Sequence, residues 1–415
     1  MIKKIEIENF KSIDKLELDL GRFNVFIGEN GCGKTNILEA VAFGSSYGNV
    51  DDVSLGLKGI RVSDPITFKS GFQLASANRN IDFTLHDDRD NIITFTYSNS
   101  NEPYSKWKSK LSVNHENEIN NILSSGDTMH NISQNILSKI KEEKLGNKLF
   151  ELGDDLVPRL KGNEFNEWFI DESENLLGDV VSSISAKYLN IILGTSLQKF
   201  MIYAPENYFL RNYSTDTPYL QPLGTKGEGL LKLFKFLKKE ITVEYKEIIE
   251  HLHLIDWFSK IEISDDNISG NEFKLTDAYM EEGIGGFDIR NANEGFFLLL
   301  FYITLFVSDY TPKFFAIDNI DTALNPKLCT KLIEILIELA KKHDKQVLIT
   351  TQNPAILDGI NLNDDEQRLM VVSRNNDGYT RVKRIEKKEP LPGEKSMKLS
   401  EQFLRGYIGG LPKNF

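Results

Sequence analysis

Two glycines separated by four residues and followed by lysine and threonine, from Gly28 to Thr35, constrain this chain more than any other feature. The apolar run before Gly28 predicts a buried strand, and apolar residues at helical spacing after Thr35 predict a helix. Gly28 and Gly33 let the backbone turn tightly enough for successive N–H groups to surround an anion. The helix aims the positive end of its dipole at the same anion. The segment therefore predicts a phosphate-binding loop between a strand and a helix.

Within this loop, Lys34 is expected to place a mobile cation on the β- and γ-phosphates, and Thr35 to offer a hydroxyl to Mg²⁺. A glycine-rich turn that binds nothing is the alternative, and the flanking strand and helix disfavour it. The residues expected to contact a nucleotide here are Asn30, Gly31, Cys32, Gly33, Lys34, Thr35 and Asn36.

Composition excludes several classes of protein. The net charge of −12 disfavours a protein that coats DNA constitutively, although a local basic face stays possible. The two cysteines, Cys32 and Cys329, suggest neither a disulfide framework nor a zinc site. The most apolar window, Gly295–Val307, is shorter than the roughly 20 residues of a membrane span. We therefore expect a cytoplasmic protein with no membrane partner.

Hydrophobic periodicity divides the chain of 415 residues into four parts. Residues 1–97 alternate like strands around the phosphate loop and predict an antiparallel β lobe. Residues 98–198 have helical spacing and predict a helical insertion or arm. Residues 199–385 alternate strands and helices, and residues 386–415 form a tail. The expected fold is α/β, with a mixed sheet, an antiparallel β lobe and the helical insertion.

A second motif is the apolar strand Lys313–Ile317, which ends in the carboxylate of Asp318. An acid at the carboxyl end of a strand next to a phosphate loop can hold the Mg²⁺ shell from the opposite side. Alone this signal is weak, because any buried strand can end in Asp. Its value comes from spacing, since Asn325 follows Asp318 by seven residues and Gly295 precedes it by 23.

With these spacings the chain resembles the ABC-type ATPases of the RecF/SMC/OLD lineage. The resemblance implies a P-loop ATPase head that binds ATP and Mg²⁺ between two protomers, with Thr35 and Asp318 as the metal-binding residues. It implies that Lys11 and Ser12, within Asn9-Phe10-Lys11-Ser12, approach the nucleotide. The further segments that it implies are the signature motif Asn293, Glu294 and Gly295, facing the partner's γ-phosphate, the D-loop with Ala323, Leu324 and Asn325, and the switch strand from Thr350 to Pro354.

Two departures from the family pattern concern catalysis. Asn319 follows Asp318 where the family usually has the Glu that orients the attacking water, and Gln352 replaces the usual switch His. General-base assistance is worth about 10²–10⁴ in rate, so the ATPase should hydrolyse slowly. Asp321 is the nearest acid that could substitute. The expected catalytic residues are Asp318, Asn319, Asp321 and Gln352.

Slow turnover with intact binding favours a long-lived ATP-bound dimer, which suits a sensor, gate or scaffold. Similar stand-alone ATPases accompany toxic effectors in bacterial antiphage defence, so the resemblance implies a self-associating subunit that controls a separate effector such as a nuclease. A phage component or DNA could be a further partner. The main alternative is a RecF-like repair ATPase that clamps DNA when ATP is bound. A transporter subunit is disfavoured by the long insertion and the absence of an L-S-G-G-Q motif.

Overall fold

The structure is a computed structural model. It describes residues 1–47, 50, 52–61, 65–69, 78–102, 105–113, 197–212, 222–264, 273–281, 284–387 and 397–411. Most of the expected helical insertion, residues 114–196, lies outside the described residues.

The strands fall into three sheets. In chain order they are β1 (Ile2–Phe10), β2 (Ile13–Asp19), β3 (Phe23–Ile27), β4 (Ile81–Asp87), β5 (Ile92–Ser98), β6 (Lys108–Val113), β7 (Ile202–Tyr203), β8 (Phe258–Ile263), β9 (Phe273–Asp277), β10 (Phe287–Asp288), β11 (Phe314–Ile317), β12 (Gln346–Thr351), β13 (Gln367–Arg374) and β14 (Thr380–Ile385).

The α-helices are α1 (Lys34–Gly44), α2 (Asp52–Leu57), α3 (Pro65–Phe68), α4 (Asn207–Arg211), α5 (Leu230–Glu240), α6 (Thr242–Leu252), α7 (Glu294–Val307), α8 (Pro326–Lys342) and α9 (Leu399–Leu404). Short 3₁₀ helices occupy Ile289–Asn291 and Pro354–Gly359.

The predicted antiparallel lobe is confirmed as a five-stranded sheet in the order β2-β1-β4-β5-β6. It extends further than we expected, because β6 pairs with β5 from Ile93↔Val113 to Ser98↔Lys108. Residue 98 was therefore too early a start for the helical insertion. The sequence concealed β6 because it is an edge strand whose lysines lie on its exposed face, leaving little apolar signal.

A six-stranded mixed sheet carries the phosphate loop, in the order β14-β13-β3-β12-β11-β7. Its neighbouring strands are parallel except for the antiparallel pair of β13 and β14. Both faces are buried. In β3, Val25 and Ile27 point into one hydrophobic core, and Phe26 points into the other. A largely parallel sheet needs this double cover, which explains why its strands read as continuous apolar runs.

A different element of the chain covers each face of the central sheet. Helix α7, in which every residue from Phe296 to Val307 is buried, fills the core on the Val25 side. The antiparallel lobe closes the other core, with α1 packed between the two sheets. At the end of α1 the lobe comes so close that a Cβ on Gly44 would lie 2.1 Å from the ring of Phe83. Within the described ranges, no helix combines the length and apolar character needed to cross a bilayer.

One buried amide joins the two sheets. The side chain of Gln346, the first residue of β12, accepts a hydrogen bond from the backbone N–H of Ile2 at 3.0 Å. It also donates to the carbonyls of Ile2 at 2.7 Å and Gly21 at 2.8 Å. Gln346 is 5% exposed, so water cannot replace these bonds. The lobe is therefore tied to the central sheet by polar contacts as well as by packing.

We expect Gln346→Met to destabilise the protein by about 3 kcal/mol, because a side chain of similar length would leave three buried backbone groups unpaired. Urea unfolding measures this loss. The control is Lys232→Met on the exposed face of α5, which should change stability by less than about 0.5 kcal/mol. Equal stability of the two variants would contradict a structural role for Gln346.

Candidate functional site

The phosphate loop follows β3 and has a backbone shape that requires glycine. Gly31 and Gly33 have φ of 75° and 108°, in the left-handed region. A Cβ on Gly33 would lie 2.1 Å from Oγ1 of Thr380, and one on Gly28 would lie 2.2 Å from the carbonyl oxygen of Val372. The loop is therefore packed directly against β13 and β14, with no room for side chains at these two positions.

Lys34 opens α1, and its ammonium group turns back into the loop. It donates to the carbonyls of Gly28 at 2.8 Å and Glu29 at 2.9 Å. The residue is only 6% exposed. The loop thus holds a buried positive charge next to its own backbone and the N-terminus of α1, an arrangement whose chemistry suits an anion with several negative charges.

Thr35 and Asp318 meet although 283 residues separate them. The Thr35 hydroxyl donates to the two carboxylate oxygens of Asp318 at 3.1 and 3.0 Å. Thr350 of the intervening strand β12 also donates to this carboxylate, and its hydroxyl accepts from the N–H of Asn319 at 2.9 Å. A hydroxyl and a carboxylate are oxygen ligands of the kind that Mg²⁺ takes beside a phosphate chain. These residues therefore fit a magnesium nucleotide.

Of the two residues that replace the family's usual catalytic groups, Asn319 directly follows Asp318 and Gln352 lies next to Asp321. Asn319 is exposed and has a φ of 53°. Asp321 accepts a hydrogen bond from the Thr351 hydroxyl at 2.5 Å and from the N–H of Gln352 at 3.4 Å. The carboxylate of Asp321 is thus fixed to the end of β12, and the side chain of Gln352 is exposed next to it.

The signature and D-loop segments lie side by side, each at the start of a helix. Asn293 caps α7 by accepting from the N–H of Phe296 at 2.8 Å. Asn325 caps α8 in the same way. A Cβ on Gly295 would lie 3.7 Å from Leu324 and 3.9 Å from the carbonyl oxygen of Ala323. Glu294 stands in the first turn of α7, where its charge complements the helix dipole.

Ser12 and Asn36 form a polar network beneath the loop. The Ser12 and Thr380 hydroxyls are 2.7 Å apart, and Asn36 donates to Ser12 at 2.7 Å. Thr380 also donates to the carbonyl of Cys32 at 3.0 Å. Burial raises the pKa of the Cys32 thiol, so it stays protonated near neutral pH. Asn30 and Gly31 lie exposed at the tip of the loop.

Lys11 forms an ion pair with the buried carboxylate of Glu39. Its ammonium contacts Glu39 of α1 at 2.7 Å, and the guanidinium of Arg61 binds the same carboxylate at 2.7 and 2.9 Å. Arg61 also donates to the side chain of Asn36 at 3.0 Å. Burial acts to raise the pKa of Glu39, but the hydrogen bonds from Arg61 and the charge of Lys11 outweigh it and hold that pKa below its usual range.

Sequence reasoning did not find Glu39, Arg61 or Arg374. Glu39 left one signal, since it is an acid on the apolar face of a predicted helix and must therefore be paired. Arg61 and Arg374 belong to no motif in the sequence. Arg374, at the end of β13, donates to the carbonyl of Gly31 at 2.7 Å and so holds the tip of the loop.

Comparison with known proteins fits this geometry. A family model described as "AAA domain, putative AbiEii toxin, Type IV TA system" matches residues 23–358. The chain belongs to this AAA domain family. It is an ABC-type ATPase of the RecF/SMC lineage.

Individual relatives match over limited lengths. The chromosome partition protein Smc of Methanocaldococcus jannaschii is 27% identical over 308 residues, which is 65% of this chain and 25% of that protein. The DNA replication and repair protein RecF of Lactococcus lactis is 49% identical over 43 residues, 10% of this chain and 12% of that protein. The matches thus span a quarter or less of these relatives.

Among solved structures, a crystal structure of an SmcHead bound to the C-winged helix domain of ScpA has a TM-score of 0.56. It is 15% identical, and the alignment covers 93% of this chain and 98% of that one. At this identity the likeness concerns the fold, and it confirms the predicted ABC-type ATPase head.

Two glycine variants distinguish the effect of a steric clash with β14 from the effect of backbone strain within the loop. We expect Gly33→Ala to abolish magnesium nucleotide binding, because its Cβ would collide with Thr380. In Gly31→Ala no described residue lies within 4 Å of the added Cβ, so we expect only the cost of a left-handed backbone, about 1 kcal/mol. Isothermal titration with Mg·ATP compares the two. Equal affinities would show that contact between Gly33 and β14 does not shape the loop.

Proposed function

We propose that this protein binds Mg·ATP in the loop from Gly28 to Thr35, dimerises around two nucleotides and hydrolyses them slowly. The observation that carries the proposal is the contact between Thr35 and Asp318, which brings a hydroxyl and a carboxylate together directly after Lys34, whose ammonium is buried in the loop. Bound Mg·ATP supplies the γ-phosphoryl group and the metal that neutralises its charge.

Each residue has a distinct part in this proposal. Lys34 and the N–H groups of the loop bind the phosphates, while Thr35 and Asp318 hold the metal. Thr350 keeps the Asp318 carboxylate oriented through its hydroxyl. Asn30 to Asn36 line the nucleotide, and Ser12 supports them through Asn36 and Thr380.

Hydrolysis is slow in this proposal because Asn319 cannot accept a proton from water near neutral pH. Asp321 takes the role of base. The position of Asp321 supports this role. Hydrogen bonds from Thr351 and Gln352 fix its carboxylate at the end of β12, and Asp321 follows Asn319 by two residues.

The partner protomer completes each site in the proposed dimer. Asn293 and Gly295 suit this role, because Asn293 is exposed and Gly295 is half-buried at the start of α7, beside the D-loop residues Ala323 and Leu324. The N-terminus of α7 would direct its dipole at the γ-phosphate held by the other copy. Because such a dimer dissociates only after slow hydrolysis, its ATP-bound state is long-lived, as a molecular switch requires.

We further propose that this switch controls a separate effector, such as a nuclease, in antiphage defence. The matching family's description names a putative toxin, which supports an association with a toxic activity. The Smc head of similar fold was solved with a bound ScpA domain, which supports docking of a partner on such a head. The alternative is a RecF-like function in which the dimer binds DNA, and this binding can be measured.

Lys34→Ala should abolish Mg·ATP binding, because the loop would lose its only ammonium group. Light scattering should show the wild type doubling in mass with Mg·ATP and the variant remaining unchanged. Lys232→Ala, at an exposed site on α5, controls for loss of a positive charge and should behave like the wild type. Unchanged affinity in Lys34→Ala would contradict the nucleotide site.

Asn319→Glu should raise ATP turnover by about 10²-fold, since it restores a carboxylate next to Asp318. Asn319→Gln is the matched control, because it has the same length without a base. Phosphate release assays measure both. A rise shared by the two variants, or absent from both, would refute our explanation of slow hydrolysis.

Asp321→Asn should reduce the remaining turnover by about 10²-fold with Mg·ATP affinity unchanged, if its carboxylate is the base. Thr351→Val, which keeps the carboxylate and removes one hydrogen bond to it, should have a smaller effect. Turnover equal to wild type in Asp321→Asn would remove Asp321 from the proposed mechanism.

Affinity purification with Mg·ATP, followed by DNA binding at increasing salt, tests the biological role. A stoichiometric effector protein and no DNA affinity would support control of an effector. ATP-dependent DNA binding that weakens with salt, without an effector, would support the RecF-like alternative instead.

A further inference from the structure

The C-terminal segment from Met397 to Leu411 packs against the 3₁₀ helix Pro354–Gly359 and then reaches strand β13. Ser400, in α9, donates to the carboxylate of Asp358 through its N–H at 2.9 Å and its hydroxyl at 2.7 Å. Phe403 is 5% exposed, and Ile408 and Leu411 pack against the core on the Val25 side. The segment is thus anchored at α9 and continues toward the phosphate loop.

The far end of this segment lies close to Gly28, the first residue of the loop. A Cβ built on Gly410 would lie 2.8 Å from Cγ1 of Val371, 3.1 Å from the ring of Phe403 and 3.6 Å from the Cα of Gly28. Gly410 therefore has no room for a side chain. Its backbone packs between β13, the α9 region and the loop.

Gly28 is consequently enclosed from two directions. A Cβ on Gly28 itself would meet the carbonyl oxygen of Val372 at 2.2 Å, while a Cβ on Gly410 would lie 3.6 Å from the Cα of Gly28. Gly28 also supplies a carbonyl that binds the ammonium of Lys34 at 2.8 Å. A displacement of Gly28 would therefore move one of the groups that position Lys34.

We propose that Gly410 is a positioning residue that acts through Gly28, so that docking of the C-terminal segment sets the affinity of the phosphate loop. This inference rests on the proposed binding of Mg·ATP. Since coupling between two sites is reciprocal, nucleotide in the loop must in turn strengthen docking of the segment. The segment thereby reports nucleotide occupancy to the surface that carries Leu404 and Tyr407, both exposed.

The chain offers a matched pair of variants. Gly406 and Gly410 have φ of 77° and 84°, so alanine costs each a similar amount of backbone strain. Among the residues that the structure describes, a Cβ on Gly406 meets only Leu411, at 3.8 Å, within the 4 Å shell around it. Gly410→Ala should weaken Mg·ATP affinity by about five-fold or more, while Gly406→Ala should stay within about two-fold of wild type.

Limited trypsin digestion tests the reciprocal effect, which a purely structural role would not produce. Arg405 lies within the segment, and its side chain is 54% exposed. Mg·ATP should slow cleavage there by about five-fold in the wild type and in Gly406→Ala, and have no effect in Gly410→Ala. If Mg·ATP does not change the rate of cleavage at Arg405 in the wild type, the inference is overturned.

Titration of the wild type separates this inference from the proposed function. Wild-type protein that fails to bind Mg·ATP would overturn both. Wild-type binding with equal affinity in Gly410→Ala would overturn the positioning role alone. If Gly410→Ala does not fold, Phe403→Ala replaces it, because loss of the buried ring undocks the same segment. Wild-type affinity in Phe403→Ala would then refute the inference.

Discussion

The position of strand β12 between β3 and β11 determines the geometry of the whole site. Neighbouring strands lie about 4.8 Å apart, so the phosphate loop and Asp318 leave the sheet about 10 Å from each other. The hydroxyl of Thr350 occupies the intervening position and binds Asp318, while Thr35 reaches it from the first turn of α1. Three elements distant in sequence therefore converge on one carboxylate, and the proposed metal site depends on that convergence.

Double burial of the central sheet makes this arrangement rigid. Helix α7 fills one core and the antiparallel lobe fills the other, so neither face of β3 can shift without disturbing packing. The loop itself is held from below by Thr380 and at its tip by Arg374. A phosphate site that is preorganised in this way loses little conformational freedom when an anion binds.

The sequence predicted the elements of the site better than their contacts. The strand, loop and helix around Gly28 to Thr35 are set by local spacing, and the structure has them at the expected positions. Strand β6 was missed because an edge strand with exposed lysines carries little apolar periodicity. Arg61 was missed for another reason: its partner Glu39 lies 22 residues away, and no pattern in the sequence links an arginine in one segment to a carboxylate in another.

The sequence by itself determined the strand, loop and helix around Gly28 to Thr35, and that Asn319 and Gln352 replace the residues usual in the family. These properties follow from side-chain chemistry and from contacts within a few residues. Only the tertiary structure decided that Lys11 binds Glu39, that Thr35 meets Asp318, and that the segment ending at Leu411 reaches Gly28. Such contacts join residues far apart in the chain, so they depend on strand order and on how closely the layers pack.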